Sequence, residues 1–89
     1  MDVTQRKKER QKFIVDTVDV IKENLENLFD NDVASRKHVA EKCLISQSNI
    51  SRWLSRNNIY IPEVYYLKII ADHFGVTVDW ILTDHKDEQ

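Results

Sequence analysis

Glycine, proline and cysteine each occur once in 89 residues, and each scarcity removes a class of structure. With only Gly75 and Pro62 as punctuation, turns that need positive φ have almost no residue to make them, so the chain favours helices over sheet. Cys43 has no second cysteine to pair with, and with the widely spaced His38, His73 and His85 it fits no metal-ligand pattern. No apolar run approaches the ~20 residues that span a bilayer, and no basic start followed by an apolar segment marks a signal peptide. The chain therefore reads as cytoplasmic, with no membrane partner. No Gly-rich phosphate loop or nucleophile arrangement is present, so no catalytic residue, cofactor or metal is expected and an enzyme is disfavoured.

What is present is a single domain with one modest core: 42% of the residues are hydrophobic, in a chain too short for two domains. The net charge of -2 argues against nucleic acid taken as a whole, but its distribution reverses that. Between Ser35 and Tyr60, Arg36, Lys37, Lys42, Arg52 and Arg56 face only Glu41. Between Phe13 and Ala34, six carboxylates face only Lys22. A molecule polarised in this way has its basic side over 35–60.

Taken in order, residues 1–12 carry Arg6, Lys7, Lys8, Arg10 and Lys12 and read as a solvated helix start or a basic arm that follows a nucleic-acid backbone. Phe13, Ile14, Val18, Ile21, Leu25, Leu28 and Phe29 then form the stripe of an amphipathic helix with an acidic, solvated opposite face. Asp30-Asn31-Asp32 ends it, and Ser35 is the expected N-cap of a second helix whose inward side is Val39, Ala40 and Cys43. After a break at Leu44-Ile45-Ser46, a third helix starts at Gln47, capped by Ser46. Pro62 is expected in the first turn of a fourth helix with Val64, Leu67, Ile70, Ala71 and Phe74 inward, and Gly75 as its left-handed C-cap. Trp80, Ile81 and Leu82 close the core over residues 13–83, and 84–89 form an acidic flexible tail.

A helix, a short break and a second helix with polar groups outward over Ser35–Ser55 is a helix-turn-helix. Val39, Ala40, Cys43, Ile45, Ile50 and Trp53, followed by the run from Leu67 through Gly75 to Leu82, resemble the DNA-binding domains of the lambda repressor and Cro type, the xenobiotic-response-element family. The resemblance implies an all-α, compact five-helix domain. Three positions depart from that pattern: Leu44 and Arg56 stand where the family has glycine, and the link from Arg56 to Pro62 is longer than usual. At Leu44 the backbone either avoids positive φ or holds strain.

On the third helix Ile50, Trp53 and Leu54 alternate with Gln47, Ser48, Asn49, Ser51 and Arg52, the split a recognition helix needs. Gln and Asn match adenine N6 and N7, and Arg52 can reach guanine O6 and N7 or a phosphate. The resemblance implies that Gln47, Ser48, Ser51 and Arg52 face the groove. Arg36, Ser46, Arg56, Asn57, Asn58 and Tyr60 are candidates for the flanking phosphates, with a capping or solvated role as the alternative. The expected function is a sequence-specific double-stranded DNA-binding regulator, a repressor, acting as a homodimer on a palindromic operator through a surface around Val78, Trp80 and Ile81. The alternative is a protein-interaction module of the same fold, antitoxin-like or antirepressor-binding, and the polar outward face of Gln47–Arg52 favours DNA.

Overall fold

Five helices and no strands make up the computed structural model, which describes residues 3–86, with side chains from residue 9 onward. They are α1 (Val3–Phe29), α2 (Val33–Cys43), α3 (Gln47–Leu54), α4 (Val64–Phe74) and α5 (Val78–Leu82). The fold is the expected all-α one. Asp87 and Glu88 of the expected tail, and the side chains of Arg6, Lys7 and Lys8, lie outside the described residues.

The core gathers Ile21, Leu25 and Phe29 of α1, Val39, Ala40 and Cys43 of α2, Ile50 and Trp53 of α3, Leu67, Ile70 and Ala71 of α4 and Ile81 of α5. Phe29 meets Phe74 edge to face, with ring centroids 5.0 Å apart. Cys43 is free and buried, and burial pushes its thiol up from the ordinary value.

The stripe predicted from Phe13 becomes buried only at Val18, because residues 9–16 of α1 are all exposed and reach past the body. Phe13, Ile14 and Val15 are 70%, 50% and 48% exposed. The opposite face of α1 is not simply solvated either, since Lys22 and Asn24 are buried. Asn24 Nδ2 donates to the carbonyls of Ile81 and Thr83, each at 2.8 Å, and to that of Trp80 at 3.4 Å. Those oxygens belong to the C-terminal end of α5, where a helix has no partners of its own for its last carbonyls.

Asp30 and Asn31 turn the chain at positive φ (40° and 59°), a region their short polar side chains tolerate. The N-cap of α2 is Asp32, not Ser35: its carboxylate accepts from the backbone N–H of Ser35 at 3.2 Å and from the Ser35 hydroxyl at 2.8 Å. Both residue types can cap, and the helix begins early enough to place Ser35 in its first turn. The two bonds from Ser35 hold the Asp32 carboxyl below the usual carboxylate range.

Leu44 adopts the left-handed conformation, φ 58° and ψ 41°, as the C-cap of α2. Its N–H bonds to Glu41 O and that of Ile45 to Ala40 O, the paired closure of a Schellman turn. Strain is therefore held in the turn. Left-handed backbone costs a residue with a Cβ about 1–2 kcal/mol, and the Leu44 side chain, 92% exposed, recovers little of it by packing. Leu44→Gly is expected to raise stability by roughly 0.5–1 kcal/mol once the extra freedom of glycine in the unfolded chain is subtracted. Chemical denaturation of the two proteins side by side measures it, and a loss of stability refutes the strain.

Gly75 caps α4 at φ 71°, as expected. Pro62 is buried but precedes the helix, whose N-cap is Glu63, because the longer link delays its start. Val64, expected inward, is 70% exposed for the same reason: it sits in the first turn, before the helix reaches the core. Leu82, at the end of α5, is 43% exposed, whereas Ile81 is completely buried and has no surface to offer a second chain. The Trp80 ring stacks on His85 with centroids 4.2 Å apart, so the chain folds back at 85.

Candidate nucleic-acid interface

Helix α3 begins at Ser46, as expected, but not through a side-chain cap. The Ser46 hydroxyl pairs with that of Ser48 at 2.7 Å, and no side chain among the described residues caps the helix. The partial positive charge of its first-turn amides is thus unmet by any carboxylate. The start of α2 is different. There the Asp32 carboxylate already occupies the helix end and takes the Ser35 N–H, one residue before Arg36.

Along α3, Ile50 and Trp53 are buried while Gln47, Ser48, Ser51 and Arg52 are exposed. At about 100° per residue these four fill one continuous arc of the helix, opposite the two buried residues. Asn49 is half-buried at the edge of that arc. The side chains of Gln47, Asn49 and Ser51 make no hydrogen bond among the described residues, so their donors and acceptors face solvent.

Arg52 is held by its neighbour. Its guanidinium carbon lies 5.2 Å from the centroid of the Tyr60 ring, within cation–π range, so the loop after α3 supplies a platform for a cation on the outward arc. Tyr60→Ala is expected to weaken duplex binding a few-fold by loosening Arg52, while Tyr60→Phe, which keeps a ring, stays near the parent. Anisotropy titrations of the three proteins on one duplex separate these outcomes. Equal losses for both variants would assign the effect to the hydroxyl instead.

The loop itself is pinned from below by a residue that sequence reasoning placed on a solvated face. Lys22 is 0% exposed, and its Nζ donates to Tyr60 O at 2.7 Å, Trp53 O at 2.9 Å, Arg52 O at 3.2 Å and Asn58 Oδ1 at 3.2 Å. Two of these acceptors are terminal carbonyls of α3, where a cation also meets the negative end of the helix dipole. Burial, and after it the charge of Arg56, pushes the Lys22 ammonium below its ordinary value. No sequence signal marks this role beyond a lone lysine in an acidic stretch.

The remaining candidates are dispersed. Arg56 grips Glu26 with both ends of its guanidinium, Nε to Oε1 at 3.2 Å and Nη2 to Oε2 at 3.1 Å, and this ion pair holds its pKa above the ordinary value. Asn58 turns its carbonyl inward to Lys22 and to the N–H of Tyr60, while Asn57 is exposed. Arg36 is half-buried in a cleft lined by Glu26, Asp30, Asn31 and Leu54, with its Nε unpaired. The structure thus brings Ser46, Gln47, Ser48, Ser51, Arg52 and Tyr60 to one side and turns Arg56 and Asn58 toward α1.

Among the described residues no group of three or more His, Cys, Asp or Glu stands where it could hold a metal ion, and no helix is long and apolar enough to cross a membrane. No curated protein and no solved structure matches the chain. A family model described as helix-turn-helix matches residues 35–81, more than half of the 89. That segment runs from Ser35, in the first turn of α2, to Ile81 and leaves Lys22 and Asn24 outside it. With two short helices joined by the turn at Leu44 and a polar arc on the second, the chain belongs to the helix-turn-helix family of DNA-binding regulatory domains.

Proposed function

We propose that this protein is a sequence-specific repressor that inserts α3 into the major groove and reads base edges with Gln47, Ser48, Ser51 and Arg52. One observation carries the reading: the exposed arc of α3 is made of hydrogen-bonding groups, with Gln47 and Ser51 left unpaired by the fold, opposite a buried apolar side. Asn49, at the edge of the arc, meets the groove only along one flank. Gln47 pairs with adenine and Arg52 with guanine, the geometries their side chains match best.

Ser46 and the open first turn of α3 take one phosphate, and Arg36 and Asn57 take others, fixing register without carrying sequence information. Arg56 and Asn58 contribute through the loop they hold. The protein works in the cytoplasm as a homodimer on a palindromic operator, because one such domain covers little duplex surface. The polar character of the arc favours DNA over a protein ligand, whose docking surface is more apolar at its centre.

Selection of bound sequences from random duplexes tests the reading. A palindromic consensus with half-sites about one helical turn apart is the expected result. Recovery of no consensus, or no duplex binding at low ionic strength, refutes it.

A further inference from the structure

We infer that the strip of α1 carrying Lys12, with Lys8 one turn before it, lies along the phosphate backbone of the duplex beside the α3–α4 loop, as a helical extension of the reading surface. The inference rests on the proposed DNA binding and adds a second contact to it. At about 100° per residue, positions 8, 12, 15, 19 and 26 of α1 fall within an arc of roughly 60°. What the arc touches fixes its body end. Val15 and Asp19 share a shallow groove with Arg56, Asn57 and Ile59 of the loop, and Glu26 takes the Arg56 guanidinium. Followed toward the N-terminus, the same arc therefore runs past the loop whose Tyr60 ring holds Arg52.

The sign of the charge on this arc changes where α1 leaves the body. Asp19 and Glu26 stand at the loop, and their charges act on Arg56. Lys12 stands in the exposed stretch 9–16, and no carboxylate among the described residues pairs with it, whereas Arg56 and Lys68 each hold an ion pair. Lys8 continues the arc by register, about 6 Å further along the axis, so each lysine has room for its own phosphate. Glu9 and Asp16 lie about 40–60° outside the arc. Cations on a helix that passes a DNA-facing loop, with no acid of the protein to answer them, fit a polyanion that passes the same loop. The phosphate assigned to Asn57 puts that polyanion there. Arg6 and Arg10 carry the same charge on the wrong side of α1, roughly 150° or more from the middle of the arc.

That asymmetry supplies the test. Lys8→Gln with Lys12→Gln, and separately Arg6→Gln with Arg10→Gln, remove two charges each from the full chain, and glutamine keeps helix propensity. Fluorescence anisotropy of one duplex at several salt concentrations reads the slope of log affinity against log salt. The lysine pair is expected to lower the slope by about two, one counterion release per phosphate, and the arginine pair by well under one. Preference among singly mismatched duplexes stays unchanged in both, because backbone contacts carry no sequence information. A parental slope for the lysine pair overturns the inference, as do equal falls for the two pairs or a changed base preference in the lysine pair. Should circular dichroism show lost helix in the lysine pair, Lys12→Gln alone decides: a fall of about one is expected, and none overturns the strip. A wild type that binds no duplex sinks the proposed function and this contact together. A wild type that binds, with a slope the lysine pair leaves unmoved, sinks the strip alone.

Discussion

Lys22→Met is expected to cost about 3 kcal/mol or more in unfolding free energy, enough to leave a domain of this size marginal. Methionine fills similar volume, so the loss is not one of packing. It strands the carbonyls of Trp53 and Tyr60 beneath the loop, whereas Arg52 O and Asn58 Oδ1 keep the N–H groups of Ser55 and Tyr60. Each buried acceptor left without a partner costs about 1–3 kcal/mol, and relaxation of the loop recovers part of the total. Urea denaturation followed by circular dichroism measures the change. A midpoint within the error of the parent would show that water substitutes for the ammonium, and α3 would then owe its C-terminal end to something else. Because this cation joins α1 to the C-terminal end of α3, beside the core the two helices share, the orientation of the reading helix is tied to the longest element of the fold.

Gln47→Ala is expected to cost roughly 1–3 kcal/mol on the preferred duplex and to relax discrimination at one base pair only. Gln47 stands in the first turn of α3, exposed, with its amide unpaired, so removing it exposes no buried group and leaves the fold alone. Arg36→Ala supplies the contrast: all sequences lose alike, and the slope of binding against salt falls by about one. Titrations on matched and singly mismatched duplexes at two salt concentrations distinguish the two. Uniform losses for Gln47→Ala would remove it from base readout and shift that role to Ser51 and Arg52.

Much of this architecture was legible in the residues, and the parts that were not share one cause. Helix α3 was readable because Ile50 and Trp53 recur at helical spacing among polar residues, and the end of α4 because Gly75 is the only glycine in the chain. Lys22 and Asn24 were not. Their acceptors lie 30 to 59 positions away along the chain, on the ends of α3 and α5 and in the loop after α3, and a polar residue that caps another helix looks locally like one that faces water. The N-cap of α2 was misread because Asp32 and Ser35 are both cap formers three residues apart, and only the start of the helix decides between them. Leu44 left two outcomes open, and the Schellman closure by Leu44 and Ile45 selected the strained one. For the candidate site, the outward arc of α3 followed from periodicity, whereas the engagement of Arg56 by Glu26 depends on where α1 passes the loop.

Cys43 gives the domain a reporter of its own motion. The thiol is buried at the last turn of α2, directly before the strained turn, and burial disfavours its reactive thiolate. A thiol-reactive dye is therefore expected to modify the protein when the core around Cys43 opens, at a rate set by how often that opening occurs. With a single cysteine in the chain, one labelling trace reads the breathing of the helix-turn-helix without any engineered probe.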